Sequence, residues 1–130
     1  MPGMNSAKRG ERPRKSSVSG AEKLEHALRV EARARQHERD QARADEHERI
    51  AAGLEAGEMG ERELIRAREQ VAKWERHEIC SHRYVEYWRA ILAGSALEVA
   101  RRMRGIEASE RAALYQNTPF GFLLSERVRR

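Results

Sequence analysis

One cysteine, Cys80, is all the thiol this 130-residue chain carries, and a lone thiol excludes an internal disulfide framework. Aromatic residues make up 5% of the sequence, so a core must be assembled mainly from aliphatic side chains and alanine. Long apolar runs are missing as well. The longest uncharged stretch, Ala112 to Ser125, has 14 residues and includes Asn117 and Pro119, too short to cross a hydrocarbon layer of about 30 Å. The N-terminus has basic residues with no apolar segment behind them, so no secretory signal is expected and a cytoplasmic protein is. No segment alternates apolar and polar residues between turn signals, which leaves no strand to expect.

What the chain has in abundance is charge. Charged residues are 36% of the sequence and the mean hydropathy is −0.88, very polar for a globular domain, so the buried core must be small. It cannot be spread evenly. Residues 1–53 offer only Met1, Met4, Val18, Leu24, Leu28, Val30 and Ile50 as strong apolar side chains, and most of the others follow Leu64. The net charge of +5 divides as +4 over residues 1–20, −1 over 21–52, −2 over 53–80, +3 over 81–104 and +1 over 105–130. Positive charge thus gathers in the N-terminal tail and around residues 81–104, which raises the expectation of a polyanionic partner. Arginine supplies 22 of the 26 basic residues, a bias that codon usage alone can produce.

The expected fold is all-α: a long charged N-terminal helix followed by a small C-terminal helical bundle, with a disordered basic tail in front. Residues 1–20 mix Pro, Gly and Ser with cations and show no periodicity, a composition that does not repay the entropy of ordering. Residues 21–52 contain neither Gly nor Pro and are rich in strong helix formers. Pairs four apart, Glu25 with Arg29, Glu31 with Arg35 and Asp45 with Arg49, should each add about 0.2–0.5 kcal/mol. The best heptad register places Ala27, Val30, Ala34, His37, Gln41, Ala44, Glu48 and Ala51 on one seam, a poor coiled coil because stable pairs need branched apolar residues there. Gly53, Gly57 and Gly60 mark residues 53–60 as a hinge. Residues 61–125 form the expected compact bundle, and 126–130 a frayed tail.

Within the bundle, Leu64, Ala67, Val71 and Trp74 recur at helical spacing. Ser81 suits the N-cap of a second helix carrying Tyr84, Val85, Tyr87, Trp88, Ile91 and Leu92, closed by Gly94. Ser95 and Glu98 have capping-box spacing for a third, with Leu97, Val99, Ala100 and Met103, ended by Gly105. A fourth is expected over Ala108 to Gln116, stopped before Pro119. Phe120 to Leu124 should fold back onto the bundle, being too apolar to stay exposed.

Few constellations carry chemistry. His77, Cys80 and His82 supply zinc-type donors, but their spacing lacks a second cysteine and a clear fourth ligand, so packing and solvation explain them better. A Cys–His nucleophile pair there would have no orienting group or oxyanion donors. His26, His37 and His47 read as solvated positions on a charged helix. The glycine cluster lacks the Lys-Ser/Thr of a phosphate loop. No enzyme and no cofactor is expected.

From Ala90 the order A-I-L-A-G-S-A-L-E-V-A-R-R-M resembles a helix-turn-helix, with Gly94 at the turn and Ala100 and Met103 directed inward, although Arg89 stands where an apolar residue is usual. The resemblance implies that Ala96, Leu97, Glu98 and Arg102 face a groove of DNA while Arg83, Arg101 and Arg104 reach phosphates. The tail residues Lys8, Arg9, Arg12, Arg14 and Lys15 would add sequence-independent contacts. Tyr84, Tyr87 and Trp88 form a stripe at helical spacing that fits a core better than a base-stacking platform. The sequence therefore points to a DNA-associated accessory or regulatory protein, expected as a homodimer. The competing reading is a protein–protein adaptor or assembly factor, with a helical arm and an apolar docking surface that takes a partner helix or a second copy. DNA binding requires the arginines on one exposed face. An adaptor requires an exposed apolar patch.

Overall fold

The computed structural model describes the backbone from Ser6 to Arg129 and the side chains from Ser19 to Val128. The expected tail of residues 1–20, with Lys8, Arg9, Arg12, Arg14 and Lys15, lies almost wholly outside the described side chains. All of the regular structure is helical: α1 (Ser6–Ala56), α2 (Glu61–His77), α3 (His82–Ile91), α4 (Ala96–Arg104), α5 (Ala108–Gln116), a 3₁₀ turn (Gly121–Leu123) and α6 (Glu126–Arg129). The chain divides into two compact units, residues 1–38 and 39–130.

In the first unit the described side chains are exposed almost without exception, Leu24, Leu28 and Val30 among them. Of the three expected i, i+4 pairs, only Glu31 with Arg35 forms, at 3.5 Å. Glu25 and Arg29 make none, and further along Arg49 turns instead to Glu46 at 3.4 Å while Asp45 accepts from Gln41 at 3.0 Å.

The second unit begins well before the expected Glu61, because the last part of α1 belongs to the same core as the shorter helices. Ile50, Ala51 and Leu54 are buried together with Leu64, Val71, Trp88, Leu92, Met103, Leu114 and Phe120. Each large side chain removed from water in this way contributes about 1.5–3 kcal/mol. Gly53 does not break α1. The helix runs on to Ala56, and the interruption comes at Gly57, which takes the left-handed φ of 80°. Nor is the end of the chain frayed as expected, since Glu126–Arg129 forms a helical turn that buries Val128.

His47 corrects the reading of a solvated histidine. It is fully buried, stacked on Tyr115 with ring centroids 3.9 Å apart, and surrounded by Trp88 and Phe120. Its Nδ1 lies 2.7 Å from the Arg43 carbonyl, which can only accept, so Nδ1 carries the proton. Nε2 therefore accepts from the Thr118 hydroxyl at 2.8 Å, and that hydroxyl oxygen in turn accepts from the Phe120 N–H at 3.1 Å. The preceding residue, Glu46, is also buried and accepts from the Ser125 N–H at 2.8 Å and its hydroxyl at 2.6 Å. Two polar residues of α1 thus satisfy the backbone and hydroxyls of a segment more than seventy positions later.

Candidate functional site

The helices that carry the DNA-binding expectation are α3 and α4, and their local structure follows the sequence closely. Ser81 caps α3 by accepting from the Arg83 N–H at 3.3 Å. Ser95 and Glu98 form a reciprocal capping box at the start of α4, with Ser95 N–H donating to the Glu98 carboxylate at 2.8 Å and Glu98 N–H to the Ser95 hydroxyl at 3.2 Å. Those bonds hold the Glu98 carboxyl below its ordinary pKa. Between the helices Gly94 has φ 93°, and a Cβ there would sit 2.3 Å from the Glu98 carboxylate oxygen. Only glycine fits this turn without strain. Ala100 and Met103 are buried, as the helix-turn-helix order requires.

The arginines tell a different story. The C-terminal carbonyls of α3 and its turn, left without intrahelical donors, are taken up by guanidinium groups. Arg68 donates to the Leu92 carbonyl and to the Gly94 carbonyl, each at 2.9 Å, while also pairing with Glu61 at 2.7 Å. Arg102 donates to the Ala93 carbonyl. Arg83 pairs with Glu110 of α5 at 2.6 Å. Arg104 turns to α1, bonding Glu48 at 2.5 Å and pairing also with Glu55, which raises its own pKa and lowers that of Glu48. Of the four arginines expected at DNA, Arg83, Arg101 and Arg104 on phosphates and Arg102 in the groove, the Arg101 side chain alone makes no hydrogen bond or ion pair with the described residues. Arg89, the departure from the helix-turn-helix order, is held by Glu75 at 2.5 Å and Glu86 at 2.7 Å. On the face expected to read a groove, Leu97 is exposed, Ala96 half-buried and Glu98 occupied by its cap. Arg83 and Arg102 both border a groove between α3 and α4, whereas Arg104 is drawn to α1, so the arginines do not form one common face.

That groove is open and has a volume of about 690 Å³. Its apolar lining is Tyr87, Ala90 and Ile91 from α3 with Gly105 and Ile106 after α4. Arg83, Glu86 and Arg102 supply its polar groups. Tyr87 is half-buried and Ala90 exposed, so α3 presents an apolar strip little more than one turn long, with Arg83 and Glu86 on the turn before it. Sequence reading placed the aromatic stripe wholly in the core. In fact Trp88 and Val85 are buried and Tyr87 lines the groove.

His77, Cys80 and His82 occupy the α2–α3 junction without converging. His77 and His82 are exposed, His82 lies 3.7 Å from Glu86, and burial pushes the half-buried Cys80 thiol up. Among the described residues no group of three or more His, Cys, Asp or Glu side chains is placed to hold a metal ion. Also among them, no helix is long and apolar enough to cross a membrane.

Charge bookkeeping over the compact unit settles where positive potential can arise. Residues 39–128 hold 15 basic and 16 acidic side chains, while residues 1–20 are +4 and the last two residues are both arginine. With those two arginines the unit is net +1, too little for its overall field to draw phosphate; any attraction must come from a local patch. No protein-family model, no curated protein and no solved structure matches the chain.

Proposed function

We propose that this chain is a non-enzymatic cytoplasmic interaction protein whose α3–α4 groove receives an amphipathic helix of a partner protein. One observation carries the reading: a wide, mostly apolar groove on a body that is otherwise densely charged. The α3 side of the groove from Arg83 to Ala90 is about 10 Å long, room for two turns of a helix with apolar residues at i and i+4 and a polar end toward Arg83. Arg83 is already paired with Glu110, but Arg102 is held by a backbone carbonyl and by no carboxylate among the described residues, which favours an occupant with an acidic flank.

The test is a titration followed by NMR, using a helical peptide with leucines at i and i+4 flanked by glutamates. Saturable amide shifts confined to residues 83–91 and 102–106, lost in the Ala90→Arg protein, are expected. Absence of saturable shifts, or shifts that persist in Ala90→Arg, would overturn the proposal. If sedimentation equilibrium shows a homodimer that the same substitution dissolves, the occupant is a second copy.

A second reading, a DNA-associated accessory or regulatory role, is supported by the +4 charge of residues 1–20 and by a set of unpaired cations. Of the α4 arginines only Arg101 belongs to that set.

A further inference from the structure

The outward face of α2 carries Arg62, Arg66, Lys73 and Arg76, all exposed. At 3.6 residues per turn these four lie within about 80° of arc and extend over about 21 Å of helix. The opposite face, Leu64, Ala67, Val71 and Trp74, is buried in the core, so the stripe has a rigid footing. Among the described side chains of residues 39–128, six cations make no hydrogen bond or ion pair: these four, Arg101 and Arg127. The acidic residues of α2 that could have neutralised the stripe are used elsewhere. Glu61 pairs with Arg68, Glu63 caps the helix through the Gly60 N–H at 2.8 Å, and Glu75 pairs with Arg89. One carboxylate, Glu69, remains within the stripe. Arg66 is also held in place, its guanidinium carbon 4.3 Å above the Phe122 ring.

We infer that this face of α2 is a phosphate-tracking surface for nucleic acid. The inference rests on the second reading above, association with nucleic acid, and relocates the contact from α4 to α2. An elongated row of cations matches a partner whose negative charge repeats along a line, as duplex phosphates do. Arginine forks suit phosphate oxygens, and none of these three has to be withdrawn from a carboxylate first. A membrane fits less well, because the apolar face of α2 is consumed by the core and leaves only the exposed Ile65 beside the stripe to insert.

The protein should be titrated against a mixed-sequence DNA duplex over a series of salt concentrations, beside three variants. In Arg62→Gln/Lys73→Gln/Arg76→Gln, which leaves the Arg66–Phe122 contact intact, affinity should fall and the slope of log affinity against log salt should flatten by about 2–3, near 0.9 per lost phosphate contact. Glu69→Gln should tighten binding, a gain that misfolding cannot produce. The third variant replaces Lys8, Arg9, Arg12, Arg14 and Lys15 with Gln. Should this variant lose binding while the α2 variants match the unmodified protein, the α2 inference fails and nucleic-acid association stands. No duplex binding by the unmodified protein at low salt would overturn both, and so would binding to phosphatidylserine vesicles in its place.

Discussion

Lowering the pH from 7 to 5 should cost the compact unit about 2 kcal/mol through His47 alone. Burial is the main cause: it pushes the His47 pKa down from 6.5 to about 4, only partly opposed by the Arg43 carbonyl and the Glu46 charge. The unfolded chain therefore binds a proton near pH 6.5 that the folded chain refuses until about pH 4. Stability rises with pH across that window and is lost as the pH falls through it, up to a limit of about 3 kcal/mol. The hydrogen bonds give the loss a structural cause, since a proton on Nε2 would turn the group that accepts from Thr118 into a second donor. Below that window the depressed carboxyl of Glu46 adds a further loss. Burial alone would raise that carboxyl, but the Ser125 bonds and the Arg49 charge hold it down. Thermal or urea unfolding of the native protein and of His47→Gln at the two pH values tests the point. The native protein should drop by about 2 kcal/mol more than the variant, or about 8–16 °C in Tm for a unit of this size. Equal drops in the two proteins would refute the reasoning.

Three further outcomes follow from single residues. Gly94→Ala should destabilise by about 1–3 kcal/mol, because it forces a side chain into a left-handed φ and against the Glu98 carboxylate that completes the α4 cap; urea titration measures it. Glu78 ends α2 with φ 51°, so Glu78→Gly should raise stability by about 0.5–1 kcal/mol, readable as a higher Tm. Ser125→Ala removes one of the two hydrogen bonds that Ser125 gives the buried Glu46 and should cost about 1–3 kcal/mol in the same unfolding assay.

The bundle helices were legible because their signals are local. Ser81, Ser95 with Glu98, Gly94 and Gly105 mark boundaries within a turn of the residues they cap, and α5 covers the expected Ala108–Gln116. Phe120 and Leu124 are buried as their apolarity demands. The contribution of α1 was obscured because its inward face mixes chemistry: Arg43, Glu46 and His47 alternate with Ile50, Ala51 and Leu54 at spacings of three and four. The period was present, but half its members are polar and their partners, Thr118 and Ser125, lie far along the chain. A heptad seam drawn through alanines therefore missed it. The arginines misled for the converse reason. Composition counts cations, whereas Arg83, Arg102 and Arg104 are committed to Glu110, the Ala93 carbonyl, and Glu48 with Glu55. Pairing of that kind depends on tertiary neighbours and leaves no trace in spacing.

The bonds from His47 to Thr118 and from Glu46 to Ser125 also set an order of events during synthesis. While a nascent chain is still shorter than about Thr118, α1 has emerged with a histidine and a carboxylate on the same face as Ile50 and Leu54, and their distant partners, Thr118 and Ser125, do not yet exist. That face must wait in water, or in the keeping of a chaperone, for some seventy residues of translation. Completion of the fold is then a late, single event, in which the segment around Pro119 closes over α1 and turns its polar residues from an obstacle into the fastening.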